Sequence, residues 1–264
     1  MRFFRQNSVT TFLLAFFVSL SMLSQGRTAT TKVEDIIAQV SEKANVQQKK
    51  VNDFACDMLS TKVEKDSTGK VGSTTQLEMK SYFKKPDKQV KIFIKGIKDG
   101  KPVLEKDLQP SMFLAPILKP SEELAEQIQK EMKSILSPSL RDKFDFKLLR
   151  EEKLAEDTVW VIEAVSRSKD LKLKKATLWI SKAQLRTVKI EAESIETPTS
   201  FLRFIKITSF LSEVQPNIFL PKINKIAFGL RKVSSKDIET TNEFSHYQIN
   251  AGLEDSLFQK KQLP

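Results

Sequence analysis

The 264-residue chain carries one cysteine, Cys56, one histidine, His246, and seven glycines. With a single thiol no internal disulfide can form, so packing alone must hold the fold. A lone histidine removes most zinc sites and makes any serine-histidine-carboxylate machine depend on one residue. Ser245 adjoins it, but neighbours along a strand point to opposite faces, and no Gly-x-Ser-x-Gly elbow occurs. The glycines at 26, 69, 72, 96, 100, 229 and 252 build no phosphate-cradling or dinucleotide pattern. These absences point to a binder, not a catalyst, with no cofactor and no metal expected.

Long hydrophobic runs are equally scarce. The one present spans 12–23, broken only by Ser19 and Ser21; it follows Arg2 and Arg5 and precedes Ser24-Gln25-Gly26. A basic start, a short apolar core and small residues at a cleavage point make a secretory signal. The run falls short of the roughly 20 apolar residues that a spanning helix needs. The expectation is a signal peptide over 1–26, removed near Arg27, and a single domain over 27–264. No cysteine follows the run, so no lipid anchor is expected, and the product belongs in the periplasm of a bacterium with two membranes.

Acid is in deficit: 33 Asp and Glu against 44 Lys and Arg give a formal net charge of +11. The lysines are spread over every segment, which is a solvated surface and not a nucleic-acid patch. Anionic lipid headgroups are the more credible partner, since each interfacial Lys or Arg contributes about 1 kcal/mol there.

The rest of the chain is rich in strands. Val33, Ile36, Ile37 and Val40 recur at helical spacing over 31–49, and Thr31-x-x-Glu34 supplies a capping-box pattern. Phe54, Cys56 and Met58 then alternate with Ala55, Asp57 and Leu59. Leu77, Met79 and Phe83 fall in step on a second strand, and Val90, Ile92 and Ile94 mark a third that Asp99-Gly100 ends. Short turns make these an antiparallel meander, and its apolar face needs a cover. A short fourth strand fits 102–107.

Between Pro110 and Pro120, Met112, Phe113, Leu114, Ile117 and Leu118 are too proline-bound for a central strand and too apolar for an exposed loop. Ser121 opens a helix of Leu124, Ile128, Met132, Ile135 and Leu136 that closes before Pro138. Together, over about 108–137, these pieces form either a lid or a plug that completes the core. Strands follow at 144–152, 158–166, 173–181, 185–193, 201–213, 219–230 and 238–249, about eleven in all. The fold class is mainly β (α+β): a single highly curved antiparallel sheet, an unclosed barrel, with helices against its concave face. An outer-membrane barrel is excluded by lysines on most strands, at about 2 to 4 kcal/mol each at mid-bilayer.

Several segments resemble the bacterial outer-membrane lipoprotein carrier (lipoprotein-sorting) family. They are Phe83-Lys84-Lys85-Pro86-Asp87, Asp99-Gly100-Lys101, Ala176-Thr177-Leu178-Trp179-Ile180-Ser181-Lys182 and Leu220-Pro221-Lys222-Ile223, in the family's order. The resemblance implies an unclosed β-barrel with a helical lid over an apolar cavity, carrying acylated proteins from inner to outer membrane. It places Lys85 where the family usually has an arginine that latches the lid. Lysine lacks arginine's planar fork. Val103 and Leu104 stand where the family tends to have aromatics.

The task so implied is to shield acyl chains from water, each buried methylene contributing roughly 0.8 kcal/mol. Expected cavity residues are Phe54, Met58, Leu77, Met79, Phe83, Ile92 and Ile94, with Met112, Phe113, Leu114, Ile117 and Leu118 from the lid. Methionine suits variable cargo because it is flexible and polarizable, though the same residues equally suit an ordinary core. Expected partners are acylated lipoprotein or lipid cargo and, transiently, a membrane or membrane-bound donor and acceptor proteins, with the chain a monomer. Two other readings stay open: a periplasmic sensor or scaffold that binds lipid or a regulatory peptide, and a hydrolase working through His246.

Overall fold

The computed structural model describes residues 32–108, 115–194, 202–230 and 236–259, with backbone alone at 108, 115–122 and 194. Helix α1 (Val33–Lys50) buries Ile36, Ile37 and Val40, the stripe that its spacing predicts. Glu34 and Asp35 in its first turn and Lys49 and Lys50 in its last oppose the helix dipole. Lys32 is its N-cap and makes no side-chain cap bond. Thr31 of the expected capping box lies outside the described residues.

Strands β1 (Asp53–Lys65), β2 (Val71–Lys84), β3 (Lys88–Lys98) and β4 (Lys101–Val103) form a meander. Asp99 and Gly100, with φ of 50° and 80°, make the two-residue turn between β3 and β4. Both positions are left-handed, as a tight hairpin requires. Helix α2 (Ala115–Ser134) begins six residues before the expected Ser121. Pro116 sits in the first turn, where backbone N–H groups lack partners anyway, so it does not stop the helix. A short helix α3 (Pro138–Arg141) leads into the second meander.

That meander is β5 (Phe144–Leu154), β6 (Asp157–Ser166), β7 (Lys175–Ser181), β8 (Arg186–Ser194), β9 (Leu202–Gln215), β10 (Ile218–Leu230) and β11 (Asp237–Ile249). β11 pairs with β1, so the two meanders fuse into one antiparallel sheet of order β4-β3-β2-β1-β11-β10-β9-β8-β7-β6-β5. β4 and β5 are its two edges, and the barrel stays unclosed. The expected mainly β class and strand number hold.

Both helices lie on one face of this sheet, here called the inner face. Alternation along the strands sends Ile162, Leu178, Ile190, Ile207 and Phe228 to that face, where they join Ile36 and Val40 of α1 and Ile128, Met132 and Ile135 of α2 in one core. Val159, Val161 and Trp179 make a smaller cluster on the other face.

Candidate functional site: the inner face and its helical cover

The cover is apolar with one polar clasp. Ile128 of α2 meets Ala192, Ile205 and Ile207 of β8 and β9 beside residues 172–174, and the seam leaves no volume for a water molecule. One turn on, Glu131 is buried, and its carboxylate accepts the backbone N–H of Leu173 at 2.6 Å and of Lys172 at 3.2 Å. Charge-assisted bonds to a carboxylate are about twice as strong as neutral ones. α2 is thus tied to the β6–β7 connection by two bonds of a single side chain.

α1 is fastened in a comparable way. The Gln47 amide donates to the carbonyl of Phe219 at 2.7 Å and accepts that residue's N–H at 2.9 Å. β11 pairs with β10 only from Ile223 onward, so the Phe219 backbone edge has no strand beside it. Gln47 replaces that strand.

Beyond the core, the inner face continues onto β1 and β2. Met58 pairs with Phe244, and Ser60 with Asn242, which pairs in turn with Asn224, two residues from core-packed Ile226. Alternation then puts Phe54, Met58, Leu77, Met79 and Phe83 on this face through the pairs Phe54–Phe83, Met58–Met79 and Ser60–Leu77. The rings of Phe54 and Phe83 stack at 5.1 Å, and Tyr247 meets Phe54 at 5.5 Å. Met58 and Met79 are buried, but among the described residues neither belongs to the core that the helices cover. This strip is a second apolar surface on the same face.

Two of the expected cavity residues stand elsewhere. Ile92 pairs with Lys80, on the face away from Met79, and Ile94 occupies a bulge with 52% of its surface exposed. The bulge, between Glu78 and Met79, shifts the alternation by one residue, so Phe93 takes the place beside Met79. Phe93 and Phe244 are inner-face residues that sequence periodicity missed. Leu77 faces Gly96, where a Cβ would come within 2.8 Å of the Leu77 side chain and 2.9 Å of that of Val103.

Of the expected lid, Met112, Phe113 and Leu114 lie outside the described residues, and Ile117 and Leu118 fall within α2 with backbone alone described. The expected latch, Lys85, points to α1: its Nζ lies 3.4 Å from both the Lys49 carbonyl and Asn52 Oδ1. Asn45, Gln48, Lys49, Lys85 and Pro138 border an open groove of about 420 Å³. Two lysines and two amides stand on its wall beside Pro138.

His246 has a φ of 52° and sits where β11 bulges against β1. The bulge breaks the alternation expected there and brings His246 and Ser245 together on the outer side. Its Nδ1 lies 2.9 Å from Asp57 Oδ2 and 3.3 Å from Ser245 Oγ. Both oxygens meet the same nitrogen, so no proton relay from serine through the ring to aspartate can run. Lys80, bonded at 3.1 Å, holds the Asp57 carboxyl below its usual range, with His246 adding to the effect. Burial pushes the Cys56 thiol up to about 11, against the pull of its bonds with Ser81 and Tyr247. Burial likewise raises Tyr247. Among the described residues no three of His, Cys, Asp and Glu gather to hold a metal ion. Nor is any described helix long and apolar enough to cross a membrane.

An open antiparallel sheet with two helices on one face is the class that fold and site define. A protein-family model described as "-like: Uncharacterized protein" matches residues 135–264. No curated protein matches the chain. Among solved structures it is similar to a domain described as an outer membrane lipoprotein-sorting protein from Vibrio parahaemolyticus, at 16% identity and TM-score 0.43, covering 85% of this chain and 97% of that one. It is similar too to a DUF1329 family protein from Desulfovibrio piger, at 12% identity and TM-score 0.43, covering 86% and 99%. A LolA superfamily protein from Nitrosomonas europaea aligns at 13% identity and TM-score 0.41, covering 86% and 97%.

Proposed function

We propose that this chain is an exported carrier that shelters the acyl chains of lipoproteins or lipids against the inner face of its sheet and moves them between the inner and outer membranes of the periplasm. The observation that carries the reading is the division of that face. One part, from β5 to β10, is closed by α1 and α2; the other, with Phe54, Met58, Leu77, Met79 and Phe83 together with Phe93, is apolar and stands outside the covered core. Hydrocarbon laid on the second part would extend under α2 if the Glu131 clasp opened, which makes α2 the movable cover. Cargo would gain roughly 0.8 kcal/mol per methylene enclosed, and the lost α2 contacts would oppose it. That opposition provides for release.

The chain works in this reading by binding, without chemistry on its cargo. A fluorescent long-chain acyl probe added to the purified protein tests it, alongside mass spectrometry of its organic extract. Saturable binding weakened at least about tenfold by Met58→Gln with Met79→Gln is expected, since both buried thioethers would be replaced by amides. No binding and no extracted lipid would overturn the carrier reading. Probe binding without transfer of acylated cargo between membranes, together with a co-purifying protein, would favour the sensor or scaffold.

A further inference from the structure

We infer that Lys91 of β3 and Lys133 of α2 form a seat for the anionic headgroup, carboxylate or phosphate, of an acyl chain whose tail lies on the apolar strip of β1 and β2. The inference rests on the carrier reading and narrows its cargo to anionic lipid, since ester- and amide-linked acyl groups of a lipoprotein bring no charge to that place. The strand register fixes where Lys91 stands. It pairs with Ser81, between the pairs Met79–Phe93 and Phe83–Gln89, and so projects from the inner face beside the strip. β4 pairs only with residues 96–98, which leaves β3 the rim of the sheet at this point.

Lys133 comes to the same place from the cover. α2 seats Ile128 over β8 and β9, and four strands lie between β9 and β3 in the sheet order. Laid flat, five strand spacings would separate β3 from β9 by about 24 Å. Lys91 nevertheless acts on Lys133, adding to the loss of hydration that pushes the Lys133 ammonium below its ordinary value. The sheet therefore curls until β3 faces α2, and the two ammonium groups come near one another over the inner face. Lys133 keeps contact with solvent while protein crowds its ammonium, as happens to a group in an open hollow.

No acid answers this charge from the floor of the hollow. β3 contains no Asp or Glu, and the one acid of β2, Glu78, lies on the outer face and bonds Lys95 at 2.9 Å. Of the acids on β1, Glu64 alone shares the inner face, at the far end of the strand with Lys62 at 3.3 Å. On α2, Glu126 attracts Lys133 less than Lys91 repels it. Neither Lys91 nor Lys133 forms a salt bridge among the described residues. A lysine in the last turn of α2 opposes the helix dipole, which accounts for its presence there. It does not account for an ammonium directed toward a second lysine instead of open water. An anion between the two relieves their repulsion, and one that carries a hydrocarbon tail also covers Met79, Phe83 and Phe93. A free inorganic anion would take the lysines and leave that floor bare.

Equilibrium titration of the full chain with three ligands of one tail tests the seat: palmitate, palmitoyl lysophosphatidate and the uncharged monopalmitoylglycerol. At least one anionic ligand is expected to bind about tenfold more tightly than monopalmitoylglycerol. Whether palmitate or the lysophosphatidate leads assigns the seat to carboxylate or to phosphate. Lys91→Gln with Lys133→Gln should erase the preference and leave the affinity for monopalmitoylglycerol unchanged, while Lys91→Arg with Lys133→Arg should keep the preference. Both lysines are exposed, so the glutamine variant should melt no lower than wild type. Lys147→Gln with Lys153→Gln makes the same change of net charge on β5, at the opposite edge of the sheet, and should alter nothing. Equal binding of the three ligands by wild type, a preference that survives Lys91→Gln with Lys133→Gln, or one lost equally in the β5 variant overturns the seat and leaves the carrier standing. Binding of none of the three overturns carrier and seat together.

Discussion

Glu131 is the residue on which the cover turns. The residue is 8% exposed and its carboxylate faces two backbone N–H groups, with no basic side chain paired to it among the described residues. Truncation in Glu131→Ala would leave the buried Leu173 N–H without an acceptor. An unsatisfied buried donor costs about 1 to 3 kcal/mol, and for a domain of this size each kcal/mol moves Tm by roughly 2 to 4 °C. Glu131→Ala should thus melt several degrees below wild type in a calorimetric scan. Glu131→Gln keeps one acceptor oxygen and should recover part of the loss. Equal melting of all three would show that the clasp does not form in solution. The serine, histidine and aspartate at 245, 246 and 57 carry a contrasting lesson: proximity at 2.9 and 3.3 Å is not a relay when both oxygens share one ring nitrogen.

At the scale of elements, α1 and α2 are fastened to the sheet by the same device, a side chain bonding backbone groups where strand pairing runs out. For α1 the device is Gln47 on Phe219. Gln47→Leu keeps the helix propensity and volume but removes both bonds, leaving the Phe219 N–H and carbonyl to find water or remain unpaired. Thermal melting should fall by an amount similar to that of Glu131→Ala, and hydrogen exchange at Phe219 should quicken; unchanged exchange would refute the strand-replacing role. Such fastenings were illegible in the sequence, because residues 47 and 219 are brought together only by tertiary packing. Most strands were legible. Alternation such as Trp160, Ile162 and Ala164 against Val159 and Val161 repeats faithfully where no bulge intervenes. It failed at β3, where one extra residue opposite Glu78 and Met79 turned Ile92 outward and Phe93 inward. It failed again at His246, whose left-handed backbone no side-chain pattern announces. The start of α2 was missed for another reason: Pro116 and Pro120 read as breaks, though the first lies in a turn that tolerates proline.

On the scale of the whole molecule, an unclosed sheet must do something with the inner face that closure would have hidden. Here part of that face is sealed by helices and part is lined by Phe54, Met58, Met79 and Phe83, so two terms compete for any hydrocarbon that arrives. Enclosure contributes roughly 0.8 kcal/mol per methylene, while displacing α2 forfeits the contacts of Ile128 and the bonds of Glu131. The first term grows with chain length and the second does not, which predicts a threshold. Short acyl chains of about eight carbons should leave Tm unchanged, because about six methylenes and a methyl at most offset the cover. Long ones should raise it, and at 100 times Kd the linked stabilisation is about 2.7 kcal/mol. Scanning calorimetry across fatty acids of increasing length would locate the threshold, and Glu131→Ala, with its cover already loosened, should shift it to shorter chains. A rise in Tm that is the same for every length would mean that acyl groups bind without lifting α2. The absence of any rise, in wild type and Glu131→Ala alike, would mean that the strip on β1 and β2 is core and that the cover never opens to hydrocarbon.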